Sequence, residues 1–438
     1  MLQLILGTSG SGKSYKIRNI IKEELSSTKK LMLIVPEQYS FENEKEMLKE
    51  FGPFECNKIE VMSFTRLTNC VFKKVGGLSG VRIDDSLRNV LMSLALEEAS
   101  EQLSLYKEKA SSNDLVQLMV SSLKEFKRSS TSIDDLFNAS NETEDEILSQ
   151  KLKETATVLS IYDSLLSRNY IDPLDDLTWL LSAVKENNFF KDYTVFIDSF
   201  NGFTSQEINI IEQILIQCQE CFISLCMDDP SFHKNDLDLF STVYDTFKKI
   251  LNIAKKNSVK IKPHIKLLEQ KRFKNQDLKY LEQNIYRSNY KAINEDVENI
   301  TIYSASNFHS EASFVSNTIK MLIVEEGYNY KDFAVISRNI ENYRGIIDVE
   351  FNKNDIPYFL DKAEPIDTKP IIKFVTTAFD IINNSFSTDL IFDYLKTGLT
   401  DLSIEEISIL ENYVFLWDIK GKAFKEEFTS NPTGFSEK

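Results

Sequence analysis

Met1-Leu2-Gln3-Leu4-Ile5-Leu6-Gly7-Thr8-Ser9-Gly10-Ser11-Gly12-Lys13-Ser14 opens the chain as an apolar strand that runs into the pattern G-x-x-x-x-G-K-[ST] with no mismatch. Behind it, Tyr15-Lys16-Ile17-Arg18-Asn19-Ile20-Ile21 has helix-like spacing, so the motif sits between a strand and a helix, the context a phosphate loop requires. A Gly/Ser turn that matched by chance would lack both flanks. Gly7, Gly10 and Gly12, with Ser11 among them, let backbone N–H groups turn inward toward phosphate oxygens. Lys13 supplies a point charge, and the Ser14 hydroxyl can hold Mg²⁺. These residues predict a cradle for a nucleoside triphosphate, ATP with Mg²⁺.

Working outward, Leu31-Met32-Leu33-Ile34-Val35 is an apolar run short enough for a buried parallel strand, followed by Pro36 and a helix from near Ser40. Lys58-Ile59-Glu60-Val61-Met62 predicts a third strand and Phe64-Thr65-Arg66-Leu67 another helix start, an alternation that implies a parallel α/β sheet. Residues 1–83 and 188–230 are therefore assigned to one α/β domain. Between them, 84–187 reads as an inserted all-helical domain, with Leu115, Leu118, Met119, Leu123 and Phe126 at helical spacing. Within it, the acidic run Asn141–Glu146 is a solvated connection or a helix start. The α/β pattern resumes at Thr194-Val195-Phe196-Ile197-Asp198, then a helix from about Ser205 and a strand at Cys221-Phe222-Ile223-Ser224-Leu225-Cys226. Residues 231–297 read as an irregular connection, and 298–438 as a second α/β unit. Its expected strands are Ile300–Tyr303, Phe333–Ile336 and Pro357–Leu360, with a helix over Glu311–Ile323.

Composition sets bounds. A length of 438 residues suggests about three domains, and 42% hydrophobic residues with only 13 Gly and 9 Pro favour large cores and long helices. No apolar run reaches the roughly 18 residues of a membrane span, and the N-terminus lacks the basic region of a signal peptide, so a cytoplasmic location is expected. The net charge of −16 opposes wrapping of nucleic acid by this chain alone; DNA contacts must be local or shared with a partner. Cys218-x-x-Cys221 followed by Cys226 resembles half a metal site, but no second pair completes it and the three histidines are scattered. These cysteines are read as core residues.

A phosphate loop works with an acid at the end of a neighbouring apolar strand, whose carboxylate reaches the Mg²⁺. Asp198 has that position, and the expectation is that it lies beside the glycine loop across adjacent strands of one sheet. Hydrolysis also needs a group to orient water, in many helicases a Glu directly after that Asp; here the residue is Ser199. The nearest acid downstream, Glu207, falls in the capping box Thr204-x-x-Glu207 and is committed to a helix start. For a cation facing the γ-phosphate the candidates are Arg287 and Arg338.

Taken in order, the phosphate loop, Val35-Pro36-Glu37-Gln38-Tyr39-Ser40-Phe41-Glu42, Met62-Ser63-Phe64-Thr65-Arg66-Leu67, Phe196-Ile197-Asp198-Ser199-Phe200-Asn201-Gly202-Phe203-Thr204-Ser205-Gln206-Glu207 and Ile356-Pro357-Tyr358-Phe359-Leu360-Asp361 resemble the AddB family. AddB is the B subunit of the bacterial ATP-dependent helicase/deoxyribonuclease, itself similar to superfamily 1 helicases. The resemblance covers essentially the whole chain. It implies a RecA-like first domain with the phosphate loop, a helical insertion and part of a second RecA-like domain. It also implies an AddA-type helicase/nuclease partner subunit and work on double-strand DNA ends in recombinational repair, with a role in recognising a regulatory DNA sequence. Leu281-Glu282-Gln283-Asn284-Ile285-Tyr286-Arg287-Ser288 resembles, with one extra residue, the helicase motif that places an Arg near the γ-phosphate. AddB proteins continue into a nuclease domain and cysteines that hold an iron–sulfur cluster. This chain is similar only to the N-terminal portion, so no cluster and no nuclease activity are expected of it, and Ser199 predicts ATP binding with poor turnover.

By the same resemblance, single-stranded DNA would lie on segments 36–45 and 63–72, where Gln38, Tyr39, Phe64 and Arg66 combine stacking surface with polar contacts. For Phe64, in an apolar helix start, core packing is the favoured alternative. The rival from another class is a stand-alone P-loop small-molecule kinase or ATPase, which accounts for residues 7–14 and 198 but not for a helical insertion and a second α/β unit.

Overall fold

In a computed structural model, the described residues are 1–25, 30–76, 80–232, 239–286, 292, 297–360 and 366–431. They divide into two compact units, Met1–Thr301 and Ile302–Lys438.

The first unit contains eight strands among the described residues: β1 (Leu2–Gly7), β2 (Lys30–Ile34), β3 (Ile59–Met62), β4 (Val81–Arg82), β5 (Tyr170–Ile171), β6 (Tyr193–Ile197), β7 (Glu220–Cys226) and β8 (Ile265–Leu267). Six of them form one parallel sheet in the order β3-β2-β6-β7-β1-β8, and β4 pairs with β5 in a short parallel ribbon. The continuous apolar runs of β1, β2, β6 and β7 follow from burial on both faces. Helices cover each side. On one face Ile17, Ile20 and Ile21 of the helix Lys13–Glu24 and Met47 of the helix Ser40–Cys56 pack on Ile5, Leu33, Phe196 and Phe222. On the other, Leu67, Val71, Leu180, Val184, Ile210, Ile214 and Ile250 pack on Leu4, Leu6, Ile197 and Ile223.

β2 and β6 are neighbours in this sheet although the helical stretch lies between them in sequence, so that stretch interrupts a single sheet. Helices Asp85–Ala99, Asn113–Ser129, Ile133–Glu142 and Glu146–Leu166 build a separate core around Met92, Leu96, Met119, Leu123, Leu159 and Tyr162. Leu115 is buried there, whereas Leu118, expected on the same face, is 55% exposed. A stripe at i, i+3, i+4, i+7 is wider than the contact one neighbouring helix makes. The helix Asp176–Asn187 instead gives Leu180 and Val184 to the sheet core. Within the acidic run, Asp145 caps the helix Glu146–Leu166 by accepting from the Ile147 and Leu148 amides.

Two polar ties hold the helical part. The guanidinium of Arg88, 5% exposed, donates to both carboxylate oxygens of Asp172, which also accepts from the Tyr162 hydroxyl and the Leu174 amide. Glu154, also buried, accepts from the backbone amides of Ser104, Leu105 and Tyr106 and from the Gln150 side chain.

The stretch read as an irregular connection is more ordered than expected. It holds the helix Ser241–Lys256, whose Phe247, Ile250 and Ala254 join the sheet core, the edge strand β8 and the helix Gln276–Asn284. A three-residue strand with a lysine at its centre carries too short a pattern to be read as one.

The second unit departs most from expectation. Its helices include Phe308–Glu326, which overlaps the expected Glu311–Ile323, then Ile347–Lys353, Pro370–Asn383, Thr388–Leu395 and Ile404–Leu416. Among the described residues, none of the expected strands Ile300–Tyr303, Phe333–Ile336 and Pro357–Leu360 forms, so no second parallel sheet is seen. Ile302, Ile336 and Phe359 are 93%, 93% and 90% exposed. A β-favouring composition suits a residue to a sheet but cannot provide the neighbour whose N–H and C=O groups a strand must pair with.

Candidate phosphate-binding site

β1 ends at Gly7, level with Cys226 of β7 and Leu267 of β8, and the chain turns through Thr8–Gly12 into the helix Lys13–Glu24. Gly10 (φ 84°) and Gly12 (φ 94°) lie in the left-handed region that favours glycine. No side chain caps the helix, so its first N–H groups and the positive end of its dipole face the loop. The loop is tight: a Cβ on Gly7 would collide with Ser11 Oγ and lie 2.8 Å from the Leu267 carbonyl. Ser11 is fully buried and its hydroxyl has no protein partner. Lys13 Nζ donates to the carbonyls of Gly7 and Thr8, each at 2.9 Å, which holds the ammonium at the mouth of the loop. Ser14 follows in the first turn. A glycine cradle, an uncapped helix start, an orphaned buried hydroxyl and a lysine fit a polyphosphate chain.

Asp198 follows β6 directly, is 3% exposed, and accepts a hydrogen bond on Oδ1 from the Ser224 hydroxyl of β7. The glycine loop and this carboxylate leave the same edge of the same sheet, but not on adjacent strands: β7 lies between β6 and β1. Apolar runs identify strands without ordering them, and β7, later in sequence, enters the gap. At ~4.8 Å per strand the two ends are about 10 Å apart, a span for a hydroxyl, an ion and a carboxylate. Ser199 is exposed with φ 67°, and Glu207 is bound in the capping box with Thr204, as its spacing predicts.

The structure adds residues that the motifs alone do not single out. The segment after β8 lies on the glycine loop: Gln270 Nε2 donates to the Ser9 carbonyl at 2.8 Å and the Lys271 amide to the Gly10 carbonyl at 3.0 Å. A Cβ on Gly10 would lie 2.7 Å from Arg272 Cβ, and one on Gly12 would lie 3.8 Å from Lys271 Cδ. Two exposed cations, Lys271 and Arg272, thus stand beside the loop. Their sequence signal was a basic pair three residues past Ile265-Lys266-Leu267-Leu268, hidden by the brevity of β8. Nearby, Lys266 of β8 pairs with Asp229, beyond β7, at 2.7 Å, and this contact with the Ser231 amide holds the Asp229 carboxyl down at about 2. Arg287 lies outside the described residues. Arg338 is exposed in the second unit.

Gln38 and Tyr39 lie exposed in the short helix Glu37–Tyr39 after β2. Arg66 lies in the first turn of the helix after β3, the neighbouring strand, where Ser63 caps that helix by accepting from the Arg66 amide. Its guanidinium is half-exposed and paired with Glu44. Phe64, by contrast, is 6% exposed and packs edge-on against Phe200, with ring centroids 5.7 Å apart. It is a core residue and offers no face to a base. Cys218 and Cys221 belong to the sheet core, with Cys226 partly buried at the end of β7. No group of three or more metal-ligating side chains is found among the described residues, and no helix there is long and apolar enough to cross a membrane.

Comparison with known proteins places these elements in context. Residues 4–282 match the family model described as ADDB, N-terminal, and residues 240–438 match the UvrD-like helicase C-terminal domain. The B subunit of the ATP-dependent helicase/deoxyribonuclease of Clostridium tetani is 34% identical over 436 residues, 97% of this chain and 38% of that protein. The same-named proteins of Clostridium acetobutylicum and Clostridioides difficile are each 33% identical, over 99% and 97% of this chain and 38% of their own length. The chain therefore spans well under half the length of these relatives.

Proposed function

The chain belongs to the ADDB N-terminal family, and we propose that it serves as the helicase-like, nucleotide-binding N-terminal part of the B subunit of an ATP-dependent helicase/deoxyribonuclease. The observation that carries this reading is the exit of the glycine loop and Asp198 from one edge of one parallel sheet, with a helix start aimed at the loop. This supports a RecA-like first domain. In it Gly7, Gly10, Ser11, Gly12 and Lys13 hold the phosphates of ATP, while Ser14 and Asp198 hold its Mg²⁺. Lys271 or Arg272, laid on the loop by the segment after β8, supplies the cation facing the γ-phosphate. With Ser199 where a water-orienting carboxylate would stand, ATP binds more readily than it turns over, because loss of such a group costs rate while sparing phosphate contacts.

In the complete assembly the partner is an AddA-type helicase/nuclease chain and the substrate double-strand DNA ends, processed in the cytoplasm during recombinational repair. Gln38 and Tyr39, in the short helix after β2, and Arg66, in the helix after β3, contact single-stranded DNA. The domains follow the sequence assignment, except that residues 176–187 and 241–284 join the first. The second unit is part of a second helicase-like domain, a reading supported by the match to the UvrD-like C-terminal domain.

Binding of a fluorescent ATP analogue to the 438-residue chain tests the nucleotide site. Wild-type chain should bind, and Lys13→Ala should weaken binding by at least about tenfold, the loss of a charge-assisted contact, with unchanged thermal unfolding. Equal binding by both would remove the site from this loop.

A further inference from the structure

The rings of Phe196 on β6 and Phe222 on β7 stack with centroids 5.0 Å apart, within the core covered by the helix Lys13–Glu24. Side chains alternate along a strand, so Asp198 and Ser224, each two residues further on, continue that face one layer nearer the edge where the phosphate loop leaves. The register agrees: Ile197 is level with Ile223, and Ser224 with Ile5 of β1. An apolar face thus changes at its last layer into a carboxylate and a hydroxyl, both buried (3% and 2% exposed) and joined by the bond from Ser224 to Asp198 Oδ1.

We propose that Ser224 is a positioning residue of the nucleotide site, which fixes the rotation of the Asp198 carboxylate so that Oδ2 is presented to the Mg²⁺ of bound ATP. The inference rests on the nucleotide reading above and assigns a role on the strand between the two motifs. Ser224 touches neither nucleotide nor ion; it acts through Asp198. Engaging one oxygen of a buried carboxylate leaves the other with a defined direction, the way outer partners orient metal ligands. The hydroxyl also supplies part of the hydrogen bonding that keeps a buried charge tolerable.

The test measures affinity for a fluorescent ATP analogue with Mg²⁺ and with EDTA, alongside thermal unfolding, in the full chain. Ser224→Ala and the similarly sized Ser224→Cys should each reduce the Mg²⁺-dependent gain in affinity about tenfold, as losses of outer-sphere partners do, with the EDTA value unchanged. Ser224→Thr, which keeps the hydroxyl on a strand-compatible side chain, should restore the gain. If wild-type chain binds and the Ala and Cys variants keep the full Mg²⁺ gain, the positioning role is overturned while the nucleotide site stands. Equal losses with and without Mg²⁺ overturn it in favour of a purely structural bond. Absence of binding by wild-type chain overturns both.

Discussion

The side-chain amide of Gln270 donates to the backbone carbonyl of Ser9 at 2.8 Å, so the turn of the glycine loop is held by a residue 261 positions further along the chain. β8 makes this possible: pairing with β1 from Ile5 to Gly7 brings the following segment over the loop. The loop's shape is therefore a property of the sheet edge as well as of its glycines.

Gln270→Ala should loosen the loop without unfolding the sheet. One hydrogen bond of this kind contributes about 0.5–1.5 kcal/mol, so amide exchange at residues 8–11 should accelerate by up to about tenfold. Hydrogen exchange read by mass spectrometry would check this, and unchanged protection of the loop peptide would show that Gln270 does not hold it.

Asp172→Ala should be severe. It leaves the Arg88 guanidinium, in a site where that residue is 5% exposed, with Asp85 as its remaining carboxylate partner and removes the partner of the fully buried Tyr162 hydroxyl. Breaking a buried pair from one side costs about 3–5 kcal/mol when the remaining charge is left alone, and the retained Asp85 contact makes that the upper bound here. Urea unfolding should show that loss, and a change under about 1 kcal/mol would place the pair outside the cooperative core of the helical part.

Acid should act through Glu154. Burial would raise its carboxyl, but hydrogen bonds from the Gln150 side chain, the Leu105 amide and Ser104 outweigh burial and bring it from 4.5 to about 2. A carboxylate depressed in the folded state adds stability that is full above its unfolded value and is lost as pH falls toward about 2. Glu154→Gln should therefore cost up to about 3 kcal/mol near neutral pH and make unfolding less sensitive to acid between pH 4.5 and 2. Parallel pH dependence of wild type and variant in that window would exclude this source.

Oligonucleotide binding should depend on salt, and two of the candidates, Tyr39 and Arg66, should separate by chemistry. Tyr39→Ala removes a stacking surface, worth about 1–3 kcal/mol per base. Arg66→Ala removes one phosphate contact and should lower the salt slope by about one. Fluorescence anisotropy at several salt concentrations distinguishes them. Phe64→Leu, in the core, should change stability and leave the salt slope alone; a changed slope would contradict its burial.

Much of this molecule was readable from residue order. The glycine loop, the strand before it, the strand ending at Asp198 and the capping box at Thr204 and Glu207 each have a short-range physical requirement, so each could be seen in a few consecutive residues. The helical stretch was equally plain, because its apolar residues recur over many turns. Leu118 shows the limit: periodicity identifies a stripe but not how much of it a neighbour covers.

Strand order, by contrast, belongs to the folded molecule alone. That β7 enters between β6 and β1, that β8 adds an edge and lays Gln270, Lys271 and Arg272 on the loop, and that Ser224 meets Asp198 all depend on contacts between segments far apart in the chain. The same reason explains Ile300–Tyr303, Phe333–Ile336 and Pro357–Leu360, where strand-like composition ends in no strand. Local sequence sets what a segment can tolerate, in burial, backbone angle and charge; which neighbour satisfies its hydrogen bonds is decided only when the whole chain has packed.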